Sequence, residues 1–242
     1  MFFLIGGILG DMAYVFAVVG HKEESMVYLL RHPSGCPVCG KKENMKVTDL
    51  IPLPWFILQR GKRACCGKPL PLSMLGAEIG MGMLTVASIW AFGVGAQGVM
   101  VVSISWFFLT AAVSDMLYRE VPNELMAVMA MASVLCTVAG LNTWGRSLLG
   151  LLPGLILLGI DIAFLLLLKK PLLGGGDIKF FILIGALLGI DLTLAMIFLD
   201  MLMTVVLFFP KFIRDMKDGS RSEVPMMYGA LVAYIYLLLL FV

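Results

Sequence analysis

The sequence predicts an all-α polytopic membrane protein with about eight transmembrane helices. Its 242 residues are 60% hydrophobic and only 14% charged, and the mean hydropathy is +0.98. Average soluble proteins are about a quarter charged, and a soluble domain of this length could not bury so much apolar surface. Apolar runs of roughly 17–25 residues recur along the chain, and each is long enough to cross a bilayer as a helix.

The apolar runs and the charges between them place the individual helices. The first run has no basic segment before it and no clear small-x-small cleavage pattern, so we interpret it as a retained helix. The fifth ends at the cationic pair Lys169 and Lys170, and Asp191 is expected to cap the seventh. The expected spans are about 2–20, 72–92, 99–113, 123–140, 147–168, 178–190, 191–209 and 225–242.

The connections between these helices predict the topology. A Gly-rich turn at 93–98 and a short loop at 141–146 carry little charge, whereas 21–71, 114–122 and 210–224 are rich in charged residues. Basic residues beside membrane segments mark the cytoplasmic side. A chain that starts outside and crosses about eight times puts every basic connection in the cytoplasm. We therefore expect an outside N-terminus.

The long connection at 21–71 is the only one with room for a small cytoplasmic domain. It contains Cys36, Cys39, Cys65 and Cys66, and four thiolates suit one tetrahedral structural Zn²⁺. His32 is a candidate substitute ligand. The alternatives to zinc are reduced structural thiols or a disulfide, which a cytoplasmic location disfavours. The predicted division is thus a helix at 1–20, a zinc-binding-like domain at 21–71 and a membrane domain at 72–242.

Two carboxylates stand out because the predicted topology puts both at the cytoplasmic face. Asp115 follows the third helix, and Asp177 precedes the sixth after three consecutive glycines. Carboxylates at the membrane are costly and often mark function. When two of them are close, one holds a proton while the other ionises, as aspartyl peptide hydrolysis requires. The alternative is that each only ends a helix in the headgroup zone. An N-cap role for Asp177 is compatible with catalysis, and both could hold together.

The residues around these aspartates resemble those of the type IV prepilin peptidases, which are GxGD aspartyl peptidases. Gly174-Gly175-Gly176-Asp177 fits the GxGD motif, and the resemblance extends in order over nearly the whole chain after the first helix. The other matching features are Asp115 with Pro122 and Asn123, Lys179, Cys36-Pro-Val-Cys39, Ile51-Pro-Leu-Pro-Trp55, Glu78, and Val224-Pro-Met-Met-Tyr-Gly229.

The resemblance implies a membrane peptidase domain in which Asp115 and Asp177 are catalytic. It implies supporting roles for Gly174, Gly176, Lys179, Glu78, Pro122 and Asn123. The expected substrates are type IV pilin-like or pseudopilin precursors, cut after a Gly that follows a basic leader at the cytoplasmic face of a bacterial cell membrane. Many members then methylate the new N-terminus with S-adenosylmethionine. Membrane lipid is the other expected partner, and nucleic acid is not expected.

Two parts of the sequence depart from the family pattern. The stretch from Gly10 to Gly20 lacks the Asn and Arg of the family's first-helix motif, which is the part associated with methyl transfer. Arg63 stands where the second Cys-x-x-Cys pair would begin, and Cys65 adjoins Cys66 instead. The resemblance therefore supports leader cleavage more strongly than methyl transfer.

Other acids keep different functions open. Asp161 and Asp200 fall in the middle of apolar runs, so a small ion- or proton-coupled transporter is one alternative, although each acid could instead bind a hydroxyl or a backbone group. A membrane scaffold with a zinc domain is another alternative. A basic leader would be attracted by exposed acids, of which the candidates are Glu120, Glu124, Asp215, Asp218 and Glu223.

Overall fold

The regular elements of the described chain are helices. The computed structural model describes residues 1–21, 71–169, 173–217 and 225–240, together with Gly67 and Pro69. The helices there are α1 (Phe2–His21), α2 (Leu72–Phe92), α3 (Ala96–Tyr118), α4 (Asn123–Val138), α5 (Trp144–Leu168), α6 (Gly175–Leu188), α7 (Ile190–Lys217) and α8 (Met226–Leu239). The all-helical prediction is confirmed for these ranges. The cysteine domain predicted at 21–71 lies almost wholly outside them, so the three-part division stays a prediction.

Among the described residues, four helices are long and apolar enough to cross a membrane. They are Leu72–Phe92, Ala96–Tyr118, the Trp144–Leu167 part of α5 and the Ile190–Lys211 part of α7. Shorter apolar helices occupy Phe2–Val18, Asn123–Val138 and Met226–Leu239. These helices fit a multi-pass membrane protein, and the number of eight spans stays a prediction.

The end of α3 differs from the sequence prediction. The charged segment 114–122 was expected to be a loop, but α3 continues to Tyr118 and includes Asp115. Charge alone does not break a helix. The break comes at Arg119, whose φ of 61° is left-handed, just before the Val121–Pro122 step that disfavours helical backbone. Asp115 therefore projects from a helix.

Both ends of α7 also differ from the prediction. The segment from Pro210 onward was expected to be a loop, but the helix includes Pro210 and runs to Lys217. Proline removes one backbone donor, which a long membrane helix tolerates. At the other end α7 begins at Ile190, so Asp191 is exposed in the first turn and is not the N-cap. A carboxylate there still favours the helix dipole.

The described chain forms two compact units, of which the first covers Met1–Ser114 and the second begins at Asp115. In the first unit, Gly6 and Gly10 let α1 approach α2 closely. A Cβ at Gly6 would lie 2.7 Å from the Gly82 Cα, and one at Gly10 would lie 2.7 Å from the Glu78 Cα. Small residues four apart are a common contact between membrane helices. This pairing covers one face of α2.

The second unit fixes α6 at its C-terminal end. The connection before α5 supplies Asn142, whose Nδ2 donates to the Ala186 carbonyl at 3.0 Å. Arg146 of α5 donates from Nη2 to the Leu188 carbonyl at 3.0 Å. The last carbonyls of a helix lack partners within it, so these two side chains complete the end of α6. Asp177, in the first turn of α6, thus belongs to a helix whose C-terminal end is held by two side chains.

Candidate active site

Asp115 acts as a cap for another helix. It lies in the last turn of α3, and only 6% of the residue is exposed. Its Oδ2 accepts a hydrogen bond of 3.0 Å from the backbone N–H of Met227. Met227 is in the first turn of α8, whose N-cap residue Pro225 offers no side-chain hydrogen bond. Asp115 therefore supplies the missing cap, and this bond fixes the direction of its carboxylate.

Asp177 is held by the backbone that precedes it. The sequence allowed Asp177 as an N-cap, but the N-cap of α6 is Gly174, and Asp177 is the third helical residue. Its carboxylate accepts a hydrogen bond from the backbone N–H of Gly174. This is the back-bond of a capping box, made here by an aspartate. The half-buried carboxylate is thereby held over the glycine segment.

One cleft of about 700 Å³ contains both aspartates. Both carboxyl groups line this cleft, and the charge on one carboxylate opposes ionisation of another that is close to it. The cleft combines the end of α3, the start of α4 and the glycine segment before α6. Its lining residues are Asp115, Arg119, Glu120, Val121, Asn123, Gly174, Gly175, Gly176, Asp177 and Lys179. The cleft therefore holds both carboxyl groups in a single accessible space.

Most of the predicted supporting residues lie at the same cleft. Gly174, Gly176, Lys179 and Asn123 line it, and Lys179 Nζ donates to Asn123 Oδ1 at 3.4 Å. Pro122 is the N-cap of α4, next to this lining. Glu78 is buried in α2 of the first unit, so the cleft does not test its predicted role.

The structure adds site features that the sequence reasoning did not single out. Arg119 brings a positive charge to the lining one turn after Asp115. The Met227 N–H was missed because a backbone donor can belong to any residue type, although the Pro-Met-Met-Tyr-Gly segment around it had been noted. Asp161 accepts a bond of 2.9 Å at Oδ1 from the Leu173 N–H, next to Gly174. This confirms the alternative in which Asp161 binds a backbone group.

The predicted zinc ligands Cys36, Cys39, Cys65 and Cys66, and the substitute His32, lie outside the described residues. Within the described ranges, no group of three or more His, Cys, Asp or Glu side chains is arranged to hold a metal ion. The zinc site therefore stays a prediction.

The long apolar helices of the described chain fit a multi-pass membrane protein, and two of its aspartates share one cleft. The model of the type IV leader peptidase family matches residues 102–209, which include both aspartates. The model of the bacterial peptidase A24 N-terminal domain matches residues 4–92. The chain belongs to the type IV leader peptidase family, and it is a peptidase.

Similar curated proteins extend this match over the chain. A prepilin leader peptidase/N-methyltransferase of Bacillus subtilis is 26% identical over 97% of this chain and 92% of its own length. Proteins with the same description from Xanthomonas campestris and Klebsiella pneumoniae are each 30% identical. The matches cover 72% and 64% of this chain and 61% and 68% of those proteins, respectively. No solved structure matches the chain.

Proposed function

We propose that the chain is an intramembrane aspartyl endopeptidase in which Asp115 and Asp177 form the catalytic pair. The observation that supports this proposal most is that both aspartates line one cleft within one compact unit. Each carboxylate is held by a backbone N–H, that of Met227 for Asp115 and that of Gly174 for Asp177. Fixed carboxylates need little rearrangement when a peptide bond arrives.

In the proposed reaction, the ionised member of the pair takes a proton from a water molecule. The water oxygen bonds to the scissile carbonyl carbon, and the carbonyl oxygen receives the proton of the other carboxyl group. Collapse of this intermediate breaks the C–N bond, and the amine leaves with the proton that the first carboxylate took. Because the two carboxyls interact, they titrate as a unit, and the acid and base roles belong to the pair.

The proposed substrates are type IV pilin-like or pseudopilin precursors, since the similar proteins are described as prepilin leader peptidases. Such a precursor is itself a membrane helix with a basic leader, cut after a Gly at the cytoplasmic face. The exposed Glu120 on the cleft lining offers a negative charge to that leader. We place the enzyme in a bacterial cell membrane, in contact with lipid, with about eight spans and an outside N-terminus, because this topology puts every basic connection inside.

Methylation of the new N-terminus with S-adenosylmethionine is a second proposed step. It is supported by the description of the similar proteins as N-methyltransferases. The departures in the first helix, from Gly10 to Gly20, weaken this step relative to cleavage. A structural Zn²⁺ on Cys36, Cys39, Cys65 and Cys66 is proposed for the cytoplasmic domain, with His32 as the substitute ligand.

The first prediction concerns the aspartate pair. Purified wild-type protein in lipid is incubated with a pilin-like precursor, and leader removal is followed by mass. Asp115→Asn and Asp177→Asn should each lower the cleavage rate on the order of a hundredfold or more, because each removes one of the two proton-transfer groups. Asp191→Asn, which changes an exposed acid in the first turn of α7, is the matched control and should cleave normally.

Cleavage at the wild-type rate by either Asp115→Asn or Asp177→Asn would end the aspartyl mechanism. The same assay tests methylation, because added S-adenosylmethionine should increase the mass of the mature product by one methyl group. A cleaved product that gains no methyl group would limit the enzyme to the peptidase step.

A further inference from the structure

Asp161 lies in the part of α5 that is long and apolar enough to cross a membrane. Its neighbours in the chain, Ile160 and Ile162, are exposed apolar side chains. An acid in such a helix is costly, and it usually faces a cavity or a polar partner. The partner here is the backbone N–H of Leu173, which donates to Asp161 Oδ1 at 2.9 Å. Asp161 therefore binds the segment that leads into the candidate active site.

The contact with Leu173 continues the packing of α5 against α6. A Cβ at Gly154 of α5 would overlap the backbone of Ile182 in α6. As α5 proceeds from Gly154 to Asp161, its partner goes back from Ile182 to Leu173, so the two helices run in opposite directions. Helix α5 continues past Asp161 for about two turns, or about 10 Å, before it ends at Leu168. Leu173 is therefore held beside α5 and not at its end.

The backbone at Leu173 leads directly to the Asp177 carboxylate. Leu173 is joined by one peptide bond to Gly174, which is the N-cap of α6. The carboxylate lies against Gly174, because a Cβ there would collide with Asp177 Oδ2. Gly174 also lines the cleft that contains both Asp115 and Asp177. A displacement of Leu173 is thus passed to the residue against which the Asp177 carboxylate rests.

The start of α6 has few side chains that could fix it. The glycine segment 174–176 has none, and glycine backbone is conformationally free. Its N-cap, Gly174, makes no side-chain hydrogen bond to the helix. The bond from Lys179 to Asn123 is exposed and 3.4 Å long, whereas the bond to Asp161 is partly buried and 2.9 Å long. The bond to Asp161 is therefore the stronger restraint on this end of the helix.

We propose that Asp161 is a positioning residue that holds the glycine segment 174–176 beside α5 and thereby fixes the direction of the Asp177 carboxylate. This inference rests on the proposed peptidase function and assigns that site a further residue. Asp161 transfers no proton and does not contact the precursor in this proposal. It supplies one acceptor oxygen for one backbone N–H, so a neutral side chain with an acceptor in the same place should serve as well.

The first test is single-turnover leader cleavage by the full-length protein in lipid vesicles, with the enzyme in saturating excess. Under these conditions the rate constant does not depend on the fraction of protein that is folded. Asp161→Ala removes the acceptor and should lower the rate constant roughly five- to tenfold, because the Asp177 carboxylate is then less well fixed. Asp161→Asn keeps a carbonyl oxygen and should stay within about twofold of wild type.

The matched control is Ile162→Ala. It shortens the next side chain of α5, which is exposed, and should leave the rate constant within about twofold of wild type. Hydrogen–deuterium exchange follows the same bond without any cleavage. The peptide that contains the Leu173 and Gly174 amides should exchange at least about threefold faster in Asp161→Ala than in wild type. Asp161→Asn and Ile162→Ala should exchange like wild type.

A double variant tests whether Asp161 acts through the glycine segment. Asp161→Ala and Gly174→Ala should both disturb the Asp177 carboxylate. Combined, they should therefore lower the rate constant by much less than the product of their separate losses. Losses that multiply would overturn the inference, because the two residues would then act independently.

A wild-type rate constant for Asp161→Ala would also overturn the inference, as would a loss in Asp161→Asn as large as that in Asp161→Ala. Asp161→Leu, whose apolar side chain suits a membrane helix, guards against a folding defect peculiar to Ala and should give the same loss. Failure of both Asp161→Ala and Asp161→Leu to fold would show a purely structural role. Failure of the peptidase proposal has a different signature, which is normal cleavage by Asp115→Asn or Asp177→Asn.

Discussion

Gly174 differs from the two glycines after it in what lies beside its Cα atom. A Cβ at Gly174 would lie 2.7 Å from Asp177 Oδ2, whereas one at Gly175 would have no atom within 4 Å. At Gly176 the nearest atom would be Val121 Cβ at 3.5 Å, an ordinary contact. The φ of Gly174 is −70°, which other residues adopt readily. Position 174 therefore requires glycine because a larger residue would leave too little space for the Asp177 carboxylate.

This difference gives the residue-scale prediction. Gly174→Ala should lower kcat for leader cleavage roughly tenfold, because the added methyl group displaces the Asp177 carboxylate from its back-bond. Gly175→Ala adds the same methyl group in open space and should keep kcat within about threefold, since alanine is favoured inside a helix. Single-turnover cleavage rates of the two variants and of wild type test this prediction. Equal losses in both variants would show that backbone freedom, and not space beside Asp177, is what the glycines provide.

The sequence located both aspartates but not the groups that hold them. Charge placed Asp115 and Asp177 at one membrane face, and the structure puts them in one cleft. The donors on them are the N–H groups of Met227 and Gly174, and a backbone N–H has no residue-type signature. Among the described residues Asp200 Oδ2 has no hydrogen-bond partner, and the burial of Asp200 depends on neighbours distant in sequence, such as Gly229.

The middles of the helices were easier to predict than their ends. Apolar runs identify the helices because a helix that crosses the bilayer needs apolar side chains along the length that lies in the hydrocarbon core. Ends were assigned from charged residues, and this was wrong for α3 and α7, which continue to Tyr118 and Lys217. A helix stops where its backbone can no longer continue, as at the left-handed Arg119, and charge marks that point only indirectly.

The contact between α5 and α6 gives the element-scale prediction. A Cβ at Gly185 of α6 would overlap the carbonyl oxygen of Gly150 in α5, whereas one at Gly159 of α5 would have no atom within 4 Å. Gly185→Ala should therefore destabilise the protein by about 1–3 kcal/mol through forced separation of the helices. Gly159→Ala should be neutral or stabilising by up to about 1 kcal/mol.

Unfolding of the purified protein in detergent, followed by circular dichroism against temperature, compares these two variants with wild type. A Gly185→Ala protein as stable as wild type would mean that the two helices are not held at this distance.

At the scale of the whole molecule, the family and the helical class could be predicted because their signals extend along the chain. Family motifs indicate the first, and apolar runs indicate the second. The ordered motifs indicated the family, and the matched ranges 4–92 and 102–209 confirm it. The cysteine region was predicted from four thiolates alone. Its domain structure and metal depend on a fold that spacing does not determine, since Cys65 adjoins Cys66.

The whole-molecule prediction joins topology to metal binding. A membrane-impermeant maleimide should label Cys36, Cys39, Cys65 and Cys66 only after the cells are opened, because the predicted domain is cytoplasmic. Labelling should also require a zinc chelator, since metal-bound thiolates react slowly. A Cys136→Ser background removes the one cysteine in the described ranges, and the four remaining thiols are then counted by mass. Labelling in intact cells would contradict the predicted topology by placing these cysteines outside the cytoplasm. Labelling without a chelator would contradict the predicted zinc site.

The shortness of α6 has a consequence for the lipid around the enzyme. Its 14 residues, at about 1.5 Å each, reach only about 21 Å, whereas the hydrocarbon layer of a typical bilayer is about 30 Å thick. On the proposed topology, one end of α6 must lie beneath the level of the lipid headgroups, or the bilayer must thin beside it. Because Asp177 begins this helix, bilayer thickness would set how deeply a precursor must sit for its cleavage point to meet the carboxylates.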